Sequence, residues 1–222
     1  MIKRDQETKK IGKKVGKEYG VKKMKDDLSS IIESEITAIR NIPITNKYED
    51  AIDILEHIIH THRGKLITSG MGKAGHIAHN IACMFSSTGS PSVFLHPAEA
   101  QHGDLGIIGP HDALLCLSNS GETREILELI HLTKRMHGEE IPILAITSHV
   151  DSELGRLSDV VLDTGPVDEV CPLGLCPTTS TTVMSVIGDL LIVSLMKRIG
   201  LTREQYAARH HGGYLGEKSR MP

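Results

Sequence analysis

The sequence predicts an α/β fold: a three-layer α/β/α sandwich built on one five-stranded, mostly parallel sheet. Three observations carry this. Five short apolar runs alternate with stretches of helical periodicity. Those runs are apolar almost throughout instead of alternating, the pattern expected when helices cover both faces of a sheet. The loops leaving two of the runs are dense in glycine and hydroxyl residues, and open α/β sheets gather ligands at such strand ends.

The elements follow in order. Asp27 and Ser29 can cap a helix through Ile31, Ile32, Ile36 and Ile39, which share one helical face, and Pro43 ends it. A second helix over 48–62 repeats apolar positions at Ala51, Ile52, Leu55, Ile58 and Ile59. Residues 65–69 (KLITS) read as the first strand, followed by a glycine-rich turn and a helix over 73–86. Residues 92–96 (SVFLH) and 113–118 (ALLCLS) are the next strands, and a helix over 122–136 follows the latter. Residues 141–147 (IPILAIT) and 159–163 (DVVLD) complete the sheet. A long apolar helix over 178–197 and a short one near 202–208 finish the pattern; the former has few polar positions, as for a helix buried on most sides.

Composition bounds the function. The chain has 222 residues and is 39% hydrophobic, enough for one substantial core. Aromatic residues are only 3%, which disfavours a single-strand nucleic-acid binder built on stacking platforms. No apolar run approaches the roughly 20 residues of a membrane span, and the charged start lacks the apolar segment of a secretory signal. Cys83, Cys116, Cys171 and Cys176 lack CxxC spacing and read as reduced thiols of a cytoplasmic protein. Net charge is −3, yet residues 1–25 hold ten Lys and Arg against three Asp and Glu. That segment reads as a solvated basic extension preceding a single domain over 26–222.

Two loops carry the candidate chemistry. The first, Ser69-Gly70-Met71-Gly72-Lys73-Ala74-Gly75, follows a strand directly. Its glycines let backbone approach a ligand, the following helix start favours an anion, and Lys73 adds positive charge. Gly70, Gly72 and Gly75 satisfy GxGxxG, but no acidic residue ends the next strand to hold a ribose, so the pattern alone is weak. The second loop, Ser118-Asn119-Ser120-Gly121-Glu122-Thr123, brings three hydroxyls and a helix N-terminus together. A cap needs one hydroxyl; three suit a monoester phosphate.

The chain resembles the sugar isomerase (SIS) domain family of phosphosugar isomerases and phosphosugar-binding modules, with flavodoxin- or Rossmann-like architecture. Within it, the chain is most similar to arabinose-5-phosphate isomerases. The resemblance rests on GMGKAGHIA at 70–78, FSSTGSPSVFLHPAEAQHGDLG at 85–106, SNSGETREI at 118–126, CPLGLCPTTSTT at 171–182, GD at 188–189 and HHGG at 210–213. It implies that Ser118, Ser120 and Thr123 bind phosphate, and that Lys73, His102, Glu125, Glu169 and His210 are catalytic. Glu169 is then the first choice for the base between C1 and C2, with Glu125 its rival; His210 or His102 opens the sugar ring. Lys73 steadies negative charge on phosphate or enediolate. Such proton shuffling needs no metal and no redox cofactor.

The implied reaction interconverts D-arabinose 5-phosphate and D-ribulose 5-phosphate. A non-catalytic phosphosugar sensor and an isomerase of another phosphosugar are the alternatives. Sensors of this type carry a DNA-reading three-helix unit, and 25 residues are too few for one. The implied partners are a small phosphosugar and further copies of the chain, as homodimer or homotetramer, with neither nucleic acid nor membrane. Three departures stand out: Ala74 where relatives commonly carry Ser, His211 where they usually carry Pro, and an expected lack of the paired regulatory CBS module.

Overall fold

The computed structural model describes residues 21–219. Of the expected basic extension, residues 1–20 lie outside the described residues, and the rest begins helix α1 (Val21–Arg40). The described residues divide into two units that part between Thr37 and Ala38. In the first, Met24, Leu28, Ile31 and Ile32 are exposed along α1. Asp27 and Ser29 do not cap α1, as the sequence suggested, but lie inside it. Their local cap signal is overridden by a continuous run of good helix formers upstream.

The second unit holds the sheet. Its strands are β1 (Leu66–Gly70), β2 (Ser92–Phe94), β3 (Ala113–Leu117), β4 (Ile143–Thr147) and β5 (Val160–Asp163). They are ordered β2-β1-β3-β4-β5, and every pairing is parallel. Every residue of β1, β3 and β4 is buried, which accounts for their largely apolar character, Thr68, Ser69 and Thr147 being the polar residues among them.

Helices α2 (Lys47–Glu56), α3 (Gly72–Ser87), α5 (Arg124–His137) and α7 (Thr179–Arg198) supply the covering layers. One core joins Leu55, Phe85, Leu115, Leu144, Ile187 and Leu191; the other, across the sheet, joins Ile67, Leu114, Ile126, Leu129, Ile130 and Ile143. The sandwich is therefore the one expected. The α7 helix is long and apolar enough to cross a membrane by length and composition, which corrects the reading that no run approaches a span. Half of that stretch is buried inside the protein, with Val183, Met184, Ile187, Leu191 and Leu195 in the core.

Four elements were absent from the sequence pattern: α4 (Pro97–Ala100), a 3-10 turn over Asp104–Ile107, α6 (Glu153–Leu157) and α9 (Gly213–Ser219). Each spans seven residues or fewer, too short for hydrophobic periodicity to register. The short helix expected near 202–208 is α8 (Arg203–Ala207), closed by a capping box between Thr202 and Gln205.

Candidate active site

In the sheet order, connections leave β1 toward β2 on one side and β3 toward β4 on the other. The carboxyl ends of β1 and β3 therefore flank a topological switch point. Gly70 pairs with Leu117 in register, so the loop after β1 and the loop after β3 leave side by side. Between them opens a cavity of about 380 Å³, lined by Lys73, Ser118, Asn119, Ser120, Thr123 and Glu169, among others. That volume falls in the usual ~300–1,000 Å³ range of small-molecule sites.

The first wall is the start of α3. A Cβ on Gly75 would lie 2.5 Å from the Gly70 carbonyl oxygen, so helix and strand meet at a distance only glycine allows. The GxGxxG spacing here serves that close approach, bringing the exposed Lys73 to the cavity within the first turn of a 16-residue helix.

The second wall is the turn 118–123. Ser118 is buried; its hydroxyl accepts the Gly121 N–H at 3.1 Å and shares a hydrogen bond with the Thr123 hydroxyl at 2.8 Å. The Ser120 hydroxyl accepts the Glu122 N–H at 3.2 Å. Gly121 holds φ +66°, and a Cβ there would fall 1.9 Å from the Ser152 hydroxyl, so the turn closes only around glycine. The Asn119 carbonyl anchors it to the next loop by accepting the hydroxyls of Thr147 (3.2 Å) and Ser148 (2.8 Å) and lying 3.0 Å from His149 Nδ1. Thr123 then leads into α5.

The third wall is Glu169 with the start of α7. Glu169 Oε2 accepts the Thr178 N–H at 2.7 Å, the Thr178 hydroxyl at 2.8 Å and the Ser180 N–H at 3.4 Å. The Ser180 hydroxyl donates to Oε1. Partial burial alone would raise this carboxyl's pKa, but the four donors outweigh it, and the net shift is downward. Glu169 is thus a carboxylate clamped across a helix N-terminus, where the helix dipole also favours it. Ser180, Thr181 and Met184 of α7 line the cavity too, as do Gly174, Leu175 and Pro177 of the preceding loop.

Of the eight residues singled out in the sequence, the cavity gathers five: Lys73, Ser118, Ser120, Thr123 and Glu169. The other three are not among its lining. His102 is exposed between α4 and the 3-10 turn, its N–H bonded to the Glu99 carbonyl at 2.9 Å. Glu125 is half-buried in the first turn of α5. His210, between α8 and α9, stacks on Tyr206 with ring centroids 3.9 Å apart. Its Nδ1 lies 2.9 Å from the Tyr206 carbonyl, which can only accept, so Nδ1 carries a proton and the neutral ring has Nε2 as its basic nitrogen. Sequence reasoning missed Asn119, Ser180 and Thr181; the hydroxyl run Thr178-Thr179-Ser180-Thr181-Thr182 was the signal available for the α7 residues. Among the described residues, no group of three or more His, Cys, Asp or Glu is placed to hold a metal ion.

Known proteins share this fold. The SIS domain family model matches residues 57–194. An Escherichia coli K12 protein named arabinose 5-phosphate isomerase KdsD is 49% identical over 156 residues, 70% of this chain and 47% of its own length. The chain spans about half the length of the curated relatives it matches. A Bacteroides fragilis crystal structure, described as a candidate phosphosugar isomerase involved in capsule formation, superposes with a TM-score of 0.84 at 54% identity. It covers 86% of this chain and 99% of its own. An Escherichia coli CFT073 protein in complex with arabinose 5-phosphate gives a TM-score of 0.80 at 30% identity, covering 86% of this chain and 100% of its own. With its switch-point cavity and the matched span inside one continuous α/β unit, the chain belongs to the SIS domain family.

Proposed function

We propose that the protein is a phosphosugar isomerase that interconverts D-arabinose 5-phosphate and D-ribulose 5-phosphate through an enediol. One observation carries this reading: three helix N-termini, a hydroxyl-rich turn, one lysine and one carboxylate meet around a single cavity at the switch point. The clamped Glu169 neutralises the N-terminus of α7. The N-termini of α3 and α5, with Lys73, then form the positive end, and Ser118, Ser120 and Thr123 supply hydroxyls for a phosphoryl group there. The similarity to proteins named arabinose 5-phosphate isomerase, and to one in complex with that sugar phosphate, favours a five-carbon substrate.

Chemistry then falls at the opposite end. Once the sugar is open-chain, Glu169 takes the proton from C2 of the aldose while a second acid protonates the C1 carbonyl oxygen, giving the enediol. The same carboxyl returns a proton to C1 while the C2 hydroxyl gives its proton to the conjugate base of that acid, and the ketose forms with no net redox change. Its donors keep Glu169 in the base form at neutral pH. Lys73 offsets charge on the phosphate or the enediolate. Ring opening needs a second acid/base group, and His210 or His102 supplies it. Both lie outside the cavity lining of their own chain, which supports a homo-oligomer in which one copy completes another's site. Glu125, also outside that lining, is the rival base and would act in the same composite site.

The test is NMR of the purified protein with D-ribulose 5-phosphate. Appearance of D-arabinose 5-phosphate, abolished in Glu169→Gln, is the expected result. Tight binding of the pentose phosphate without turnover refutes catalysis in favour of a sensor, and turnover of only a hexose phosphate refutes the five-carbon assignment.

A further inference from the structure

The loop between Glu169 and α7 holds a pair of thiols that the proposed reaction does not use. Its neck is fixed by Glu169 on Thr178 and by the Val170 N–H donating to the Thr178 hydroxyl at 3.2 Å. Above the neck the chain turns back on itself, the Gly174 N–H donating to the Cys171 carbonyl at 2.9 Å with Gly174 at φ +63°. This curl aims amide groups at a sulfur: Cys171 Sγ accepts the N–H of Cys176 at 3.1 Å and of Leu175 at 3.3 Å. Cys176 is itself exposed, and the backbone nitrogen that carries it is already within 3.1 Å of the Cys171 sulfur. The two thiols are therefore held at the two ends of one tight, solvent-accessible turn. That turn also bears Gly174, Leu175 and Pro177, which line the cavity.

We propose that Cys171 and Cys176 form a peroxide-responsive thiol switch, closing an intraloop disulfide that reshapes the wall of the cavity. The Cys171 thiolate attacks one peroxide oxygen; an S–O bond forms, the O–O bond breaks, and hydroxide leaves and is protonated to water. Cys176 then attacks Cys171 Sγ; an S–S bond forms, the S–O bond breaks, and the departing hydroxide takes the Cys176 proton as a second water. In total two thiols are oxidised by two electrons and one peroxide is reduced. Amide donors favour thiolate over thiol, and the Cys171 thiol is accordingly held below its usual range, the Cys176 N–H being the largest cause and the Leu175 N–H the next. Cys116 shows the opposite case: wholly buried in β3, its thiol is pushed up to about 12 and stays unreactive. Closing the bridge replaces the amide–sulfur contacts, so Leu175 and Gly174 must move, while the neck at Glu169 and Thr178 stays in place.

The experiment reads thiols before activity. The full chain is treated with hydrogen peroxide, free thiols are blocked, and the peptide holding both cysteines is weighed. Loss of two hydrogens with neither thiol blocked, restored by dithiothreitol, is expected. In Cys176→Ser, oxidation should stop at a sulfenate that dimedone traps on Cys171. Alkylation of Cys171 by iodoacetamide at neutral pH should run severalfold faster than that of the exposed Cys83. Unbridged peptide after peroxide, or Cys171 alkylating no faster than Cys83, overturns the proposal. These readouts hold whether or not the protein turns over a pentose phosphate. If it does, turnover should fall on oxidation and return on reduction in the wild type, and Cys176→Ala should prevent the disulfide without changing basal turnover.

Discussion

Replacing Glu169 tests the clamp that this side chain makes on the start of α7, and it does so through pH. In Glu169→Ala the donors on Thr178 and Ser180 lose their acceptor, and Ser180 is only 3% exposed, so water replaces it poorly. Hydrogen bonds to a charged acceptor contribute roughly 1.5–3 kcal/mol each, and partial solvation discounts them, giving a loss of about 2–4 kcal/mol. Glu169→Gln keeps a carbonyl oxygen for the Oε2 donors, and its amide can donate to the Ser180 hydroxyl. It gives up mainly the charge at the helix N-terminus, about 1 kcal/mol. The sign of the pH dependence follows from the downward shift. A carboxyl whose folded pKa lies below its unfolded value of about 4.3 adds stability above that value. That stability is lost as pH falls through the folded pKa. Urea unfolding of the wild type and both variants at a series of pH values measures it. The gap between wild type and Glu169→Gln should be full at neutral pH and shrink in acid, below pH ~4. A gap that stays constant to low pH, or Glu169→Ala as stable as Glu169→Gln at pH ~7, would falsify the clamp.

Two further outcomes follow from the opposite walls. Gly121→Ala forces a left-handed backbone onto alanine and a Cβ into the Ser152 hydroxyl, so urea midpoints should drop by the equivalent of roughly 2–4 kcal/mol; an unchanged midpoint would mean the turn closes differently. Lys73→Met should leave the fold intact, Lys73 being exposed, but weaken phosphosugar binding by roughly 1.5–3 kcal/mol, about 10- to 150-fold. Calorimetry with ribulose 5-phosphate against the unphosphorylated pentose checks it, since only the phosphorylated ligand should respond.

The sheet was legible because burial on both faces makes β3 apolar throughout and β1 and β4 largely so, with Thr68, Ser69 and Thr147 the buried polar exceptions, a signal that needs no partner to interpret. Strand ends moved little: β2 stops at Phe94 instead of His96, although Leu95 still donates to the Thr68 carbonyl at 2.9 Å. The start of α1 was missed because Asp27 and Ser29 look like caps to a reader who sees only neighbours. In the site, the two loops could be placed from the rule that ligands gather at strand ends, so Lys73, Ser118, Ser120 and Thr123 came together as read. Glu169 was placed by resemblance, and its four donors were not read, since Thr178 and Ser180 stand at the start of a helix whose apolar pattern reads as core and whose hydroxyl run was the one cue left. His102 and His210 sit in turns beside short helices with no periodic signal, and Glu125, although on the helix that was read, has no spacing rule to say whether it reaches the cavity.

The in-register pairing of Gly70 with Leu117 has a consequence for how substrate range changes. On the proposed reading, the grip on a phosphoryl group stands at the ends of two wholly buried strands, whereas Gly174, Leu175 and Pro177 of a surface loop form another part of the cavity wall. A ligand held in that way would be measured outward from a fixed anchor toward an adjustable stop. Altering a few residues in that loop can lengthen or shorten the carbon chain accepted and leave the anchor and the core untouched.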